Sequence, residues 1–135
     1  MSRELAPSQM SAPVAQYAHG VHLPAGCEFI FTSGVVPTMR DGSVPQTISE
    51  QAIVIWQNIS LILAEGAMSK SDIISVTTYV VNSPDLGEQL KVVMAARDEA
   101  MSGHRAASTL VTVPALARPE WLLEIAVVAA RQPNS

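Results

Sequence analysis

The sequence predicts an α+β fold made as one domain over residues 1–135, in the element order β-β-α-β-α-β-β. Two stretches repeat apolar residues on the 3.6-residue period of a helix. Several short stretches are rich in β-branched residues or alternate apolar with polar. The connections between them are brief and carry turn residues, so no linker divides the chain. This order leaves room for two strand–helix–strand crossovers, which implies a mixed sheet with both helices packed on it.

The elements follow in turn. Residues 1–12 are polar and proline-containing and read as a loose arm. Tyr17 to Leu23 alternates as a strand, Pro24-Ala25-Gly26 turns, and Cys27 to Thr32 forms a second strand, suggesting an opening hairpin. Ser33-Gly34 ends that strand, and Pro37 to Pro45 is turn chemistry centred on Asp41-Gly42. Thr47 with Glu50 three residues on is a capping signature. Ile48, Ala52, Ile55, Trp56, Ile59, Ile62 and Leu63 then make one apolar helix face, stopped by Gly66. Asp72 to Val81 is a strand. Ser83-Pro84-Asp85 reads as the start of a second helix carrying Leu86, Leu90, Val93, Met94 and Met101, with Gly103 at its end. Ala107 to Val113 and Trp121 to Ala130 are the last strands. The final one has so little polar interruption that both its faces should be covered.

Composition narrows the function. Eight Lys and Arg against twelve Asp and Glu give a net charge of −4 and no basic stripe, which argues against a nucleic-acid partner. No stretch reaches the roughly 18 consecutive apolar residues of a membrane span, and no leader-like apolar run follows Arg3, so a cytoplasmic location is the default expectation. The single cysteine, Cys27, has no intrachain partner and fits a reducing compartment. Charged residues are only 15%, low enough to suggest that a partner subunit covers part of the apolar surface.

Phosphate-binding, nucleophile-elbow and zinc-binding motifs are absent. His19 and His22 would point to opposite faces of a strand, and no cysteine or carboxylate joins them at ligand spacing, so we read no metal site. Glu124 is the anomaly: it is the one ionisable residue between Trp121 and Ala130. A carboxylate in an apolar strand is either a tuned acid or base or a rim residue meeting water or arginine; the residues alone leave both open. Ser33-Gly34 could bind an anionic or carbonyl oxygen, or simply end a strand. Ser108 and Thr109 open a strand, where hydroxyls are ordinary. Tyr17 could present its phenol to a cleft or cap an edge.

In this order the pieces resemble the RidA family, also called the YjgF family. They are Tyr17-x-x-Gly20-Val21; Phe31-Thr32-Ser33-Gly34 with Pro37; Gly42 with Val44-Pro45; Asn58; Asp72-Ile73 with Thr77 and Tyr79-Val80; Ala107-Ser108-Thr109; and Arg118-Pro119-Glu120-x-Leu122-x-Glu124-Ile125. The resemblance runs over roughly residues 12–130. It implies a chorismate-mutase-like fold, a mixed sheet with two helices on one face, assembled as a homotrimer with small-molecule ligand clefts between subunits. It implies hydrolysis of reactive enamines and imines to a carbonyl compound and ammonia, without cofactor or metal.

Carried over position by position, the resemblance makes Glu124 the catalytic, water-positioning residue and places Tyr17, Ser33 and Gly34 in the substrate cleft. The arginine that grips the substrate carboxylate does not carry over. The family reads close to Arg-Pro-Ala-Arg-Thr, and this chain reads Arg105-Ala106-Ala107-Ser108-Thr109, so Ser108 stands in the arginine position. On this reading Ser108 and Thr109 offer neutral hydrogen bonds in its place, with Arg105 reaching in from a loop as the other route. A hydroxyl replaces a charge-assisted pair poorly, so the expected substrate depends less on a carboxylate clamp. The resulting expectation is an imine or enamine deaminase of altered preference. The alternative is a trimer that binds a metabolite without turnover. The older endoribonuclease or translation-inhibitor label fits the acidic charge poorly.

Overall fold

The computed structural model describes residues 2–133. Its elements are β1 (Arg3–Leu5), β2 (Gly20–His22), β3 (Glu28–Phe31), α1 (Ile48–Glu65), β4 (Ile73–Val81), α2 (Leu86–Met101), β5 (Ala107–Val113) and β6 (Leu123–Arg131). The main sheet has the order β3-β6-β4-β5. Strand β6 is antiparallel to both β3 and β4, while β4 and β5 are parallel across the α2 crossover. Strands β3 and β4 therefore also run the same way, with α1 crossing between them. This is the predicted mixed sheet with its two crossovers.

Helix α1 starts where its sequence says. The Thr47 hydroxyl oxygen accepts the Glu50 N–H at 3.2 Å and donates to the Glu50 carboxylate at 2.8 Å. Ile48, Ala52, Ile55, Trp56, Ile59 and Leu63 are buried against the sheet, whereas Ile62, counted on the apolar face, is 41% exposed. Gly66 closes the helix for a packing reason: a side chain there would run into the Ile30 Cδ1 methyl, and the left-handed turn is taken by Ala67 instead. The second helix begins later than expected. Pro84-Asp85 form a turn, the Ser83 hydroxyl accepts the Asp85 N–H, and the first helical residue is Leu86.

Strand alternation sorts the sheet into two faces. Val76, Val80, Leu123, Ile125, Val127 and Ala129 point under the helices and are almost wholly buried. Each such Val or Ile is worth about 1.5–3 kcal/mol of burial, so this face is where the fold is held. The other face carries Phe29, Phe31, Tyr79, Val111, Glu124 and Val128 by register. Phe31 is 74% exposed and Phe29 49% exposed in the isolated chain. The last strand is thus covered on one face by its own helices and left partly open on the other.

The N-terminal region departs from expectation twice. The arm read as loose over residues 1–12 contains β1, paired antiparallel with β2 so that Arg3 faces His22 and Leu5 faces Gly20. Arg105 fastens it, contacting the Glu4 carboxylate at 3.2 Å and donating to the Tyr17 carbonyl at 2.6 Å. The expected opening hairpin does not form. Strand β2 pairs with β1 instead, and β3 takes the edge of the main sheet beside β6, where Ile30 packs on the core. Among the described residues, no helix is long and apolar enough to cross a membrane.

Candidate functional site

Glu124 lies on the open face of β6, half-buried, opposite Tyr79 of β4. Its neighbour across the other edge is the segment after β3. The Val35 N–H donates to the Ile125 carbonyl at 2.7 Å, and the Ile125 N–H donates back to the Val35 carbonyl at 3.1 Å. This exchange sets Gly34 directly against the Glu124 side chain. A β-carbon built on Gly34 would lie 2.6 Å from the Glu124 carboxyl carbon and 3.0 Å from its Cγ, in collision with the carboxylate. Gly34 therefore needs to be glycine because the carboxylate occupies the space of a side chain. Glu124, Ser33 and Gly34 form one group, and Ser33 and Gly34 line an open cleft of about 550 Å³ with Asn58 and Leu61 of α1.

Gln51, which the sequence reading passed over, holds this group in place. It sits fully buried on α1. Its amide donates to the Pro45 carbonyl at 2.8 Å and the Glu120 carbonyl at 2.9 Å, and its oxygen accepts the Leu122 N–H at 2.9 Å. One side chain thereby satisfies three backbone groups and fixes the chain two residues before Glu124. A glutamine on the apolar stripe of α1, directly before Ala52, was the signal. Asn58 does similar work nearby, donating to the Thr38 carbonyl at 3.0 Å.

The remaining candidates collect elsewhere, at the free edge of β5. Ala18 bridges Ala107, with the Ala18 N–H donating to the Ala106 carbonyl at 2.9 Å, so Tyr17 lies beside the start of the strand. Ser108 and Thr109, read together from the sequence, are consecutive strand residues and point to opposite faces. Ser108 shares the helix-facing side with Val76, while Thr109 shares the open side with Thr77. Arg105 contacts Glu4 and the Tyr17 carbonyl through Nη2, and its buried Nε has no hydrogen-bond partner. Strand β4 separates β5 from β6, which puts this edge about 10 Å from Glu124 across the sheet. Within one chain the candidates thus form two half-sites, Ser33-Gly34-Glu124 and Tyr17-Ser108, with Ser108 and Glu124 on opposite faces.

The second half-site contains a residue absent from the sequence reading. Arg97 of α2 is 9% exposed, between Val93 and Met101 on the buried stripe of the helix. Its Nη1 donates to the Ser108 hydroxyl at 3.3 Å, and its Nη2 and Nε donate to the neighbouring Asp98 carboxylate at 3.1 and 3.3 Å. Arg97 falls at the i+4 position from Val93 and i−4 from Met101, a core slot where a charge is unusual. That break in the apolar period was legible.

Comparison with known proteins places this architecture. Residues 8–131 match the model of a family described as Endoribonuclease L-PSP. A solved structure from Yersinia pestis, a conserved Rid-family protein of unknown function called YyfB, superposes with a TM-score of 0.85 at 27% identity, covering 96% of this chain and 98% of that one. The Escherichia coli (strain K12) protein TdcF, provisionally named a reactive intermediate deaminase, is 29% identical over 73 residues, 53% of this chain and 54% of that protein. A RutC family protein of Aquifex aeolicus is 28% identical over 81 residues, 59% of this chain and 62% of its own length. The aligned parts thus span little more than half of these curated relatives. The match across residues 8–131, together with a fold shared almost end to end with a Rid protein, makes this chain a member of the Endoribonuclease L-PSP family, the RidA (YjgF) family that its motifs resemble.

Proposed function

We propose that the protein hydrolyses reactive imines or enamines to a carbonyl compound and ammonia, in clefts formed between copies of a homotrimer. The observation that carries this reading is the seat of Glu124 against Gly34, which with Ser33 lines an open cleft. The names of distant relatives support the reaction class.

The chemistry follows from a carboxylate and a water. Glu124 accepts a hydrogen bond from water and orients its oxygen toward the imine carbon. As the C–O bond forms, the carboxylate takes the water's proton and the C=N π electrons move to nitrogen. The proton passes to that nitrogen to give a carbinolamine; Glu124 then relays the proton of the new hydroxyl to the amine, the C–N bond breaks as the C=O bond forms, and ammonia leaves. Ser33 and the Gly34 backbone hold the polar end of the substrate. No redox partner enters this balance.

The oligomer is part of the reading because one chain holds the two half-sites apart. The uncovered sheet face, with Phe31, Phe29 and Val111 exposed, supplies an apolar surface for a neighbouring copy to bury. A neighbour docked there could bring its β5 edge to the Glu124 half-site of the first chain.

The test generates imines from a panel of amino acids with an amino-acid oxidase in the presence of semicarbazide, which traps the imine in competition with its hydrolysis. The protein is expected to lower imine capture, and Glu124→Ala to abolish that effect while the oligomer persists in light scattering. Undiminished activity in Glu124→Ala would overturn the assignment.

A further inference from the structure

We infer that the groove between the outer faces of α1 and α2 is a second binding site, and that it takes an α-amino acid with a large apolar side chain. The helices cover the sheet face opposite Glu124, and the groove meets the cleft only at Leu61, which lines both. The inference does not rest on the imine-hydrolase reading, because no group of that reaction lies in the groove. The oligomer proposed above buries the open sheet face and leaves the helices accessible.

Four observations carry the inference. The first is space. Because β3, β4 and β5 run the same way and each helix crosses between two of them, α1 and α2 lie side by side in one direction. Outside they leave a half-open groove of about 740 Å³, lined by Ile53, Trp56 and Leu61 of α1 and by Ala96 and Ala100 of α2. That size is ordinary for a small-molecule site, and the alanines leave the room that longer side chains would fill. The second is apolar surface. Ile53 is 53% exposed and Leu61 is 68% exposed, so α1 presents apolar residues outward although its inner face already packs on the sheet. The third is an unmet donor. Trp56 is 5% exposed, and its indole N–H has no acceptor among the described residues. The fourth is a pair of unanswered charges. Glu99, in the last turn of α2, and Lys70, in the short turn that links α1 to β4, both line the groove where the two helices end. Neither side chain has a hydrogen-bond or ion-pair partner among the described residues. A simple acid would answer Lys70 but bring its carboxylate beside Glu99, and a simple amine would do the reverse. An α-amino acid carries both charges on one carbon. Its carboxylate meets Lys70, its ammonium meets Glu99, and its side chain lies along Ile53 and Trp56.

The test follows Trp56 emission in Trp121→Phe, where it is the one remaining tryptophan, and amide NMR shifts in the native chain. L-phenylalanine should give a saturable change with a Kd of about 1 mM. 3-Phenylpropionate lacks the ammonium and 2-phenylethylamine lacks the carboxylate, so each should bind about 10-fold more weakly. Lys70→Met should weaken L-phenylalanine about 10-fold without weakening 2-phenylethylamine. Glu99→Gln should weaken it by a similar factor without weakening 3-phenylpropionate. Glu124→Ala should bind L-phenylalanine as the native chain does. No saturable change with L-phenylalanine, or equal binding of the three molecules, overturns the inference. Binding that survives both Lys70→Met and Glu99→Gln also overturns it, as does binding lost in Glu124→Ala, which would place the ligand in the cleft. Catalysis enters none of these readouts, so failure here leaves the hydrolase reading standing, and failed imine hydrolysis leaves this site standing.

Discussion

The two half-sites are built by opposite means. Around Glu124 the main chain does the positioning. A two-way backbone exchange between Val35 and Ile125, a glycine stripped of its side chain, and a buried amide on Leu122 leave the carboxylate little choice of place. At the β5 edge, long side chains do it: Arg97 reaches from a helix to Ser108, and Arg105 reaches to Glu4 and the Tyr17 carbonyl. The comparison teaches that the Glu124 end is rigid by construction, while the β5 end can be rewired by exchanging side chains and leaving the sheet untouched.

The largest effect should come from the rigid side. Glu124→Ala removes the carboxylate of its half-site and should cost about 10²- to 10⁴-fold in kcat, measured by the imine-capture assay, with the thermal transition preserved. Gln51→Leu should follow, in stability. It strands the Pro45 and Glu120 carbonyls and the Leu122 N–H, a loss of about 2–4 kcal/mol by chemical denaturation. Gly34→Ala forces the carboxylate aside, at a cost of about 1–3 kcal/mol, and should reduce turnover with it. The flexible side should give the smallest change. Ser108→Ala deletes one long hydrogen bond to a side chain that keeps Asp98, so stability should fall by about 1 kcal/mol or less. A Ser108→Ala loss as large as that of Gln51→Leu would break the contrast between the two ends.

Much of the fold could be read from the residues because the main sheet obeys local rules. The β-branched run at 73–81 and the near-continuous apolar run at 123–130 became central strands, and Thr47 capped α1 as its sequence indicates. The N-terminal region could not be read that way. Arg3–Leu5 is too short and too polar to announce a strand, and its pairing depends on Arg105, about a hundred residues away. The opening hairpin failed for a related reason: two strands joined by a turn were assumed to pair with each other, whereas β3 gained more from β6 and the core beneath it. At the site, Glu124 stood out as a lone charge in an apolar strand. Arg97 is the same kind of anomaly on a helix, hidden because α2 is polar over most of its surface and one more arginine draws no notice there.

The central proposal is that a working cleft takes Glu124 from one copy and the β5 edge, with Tyr17 beside it, from another. Co-assembling Glu124→Ala chains with Tyr17→Ala chains tests it most directly in the imine-capture assay. In an equal random mixture, about one cleft in four would pair a native Glu124 with a native Tyr17 across a heterologous interface. The account predicts that the mixture regains roughly that quarter of native activity, although each variant alone is impaired. A mixture no more active than the average of its two components would contradict it.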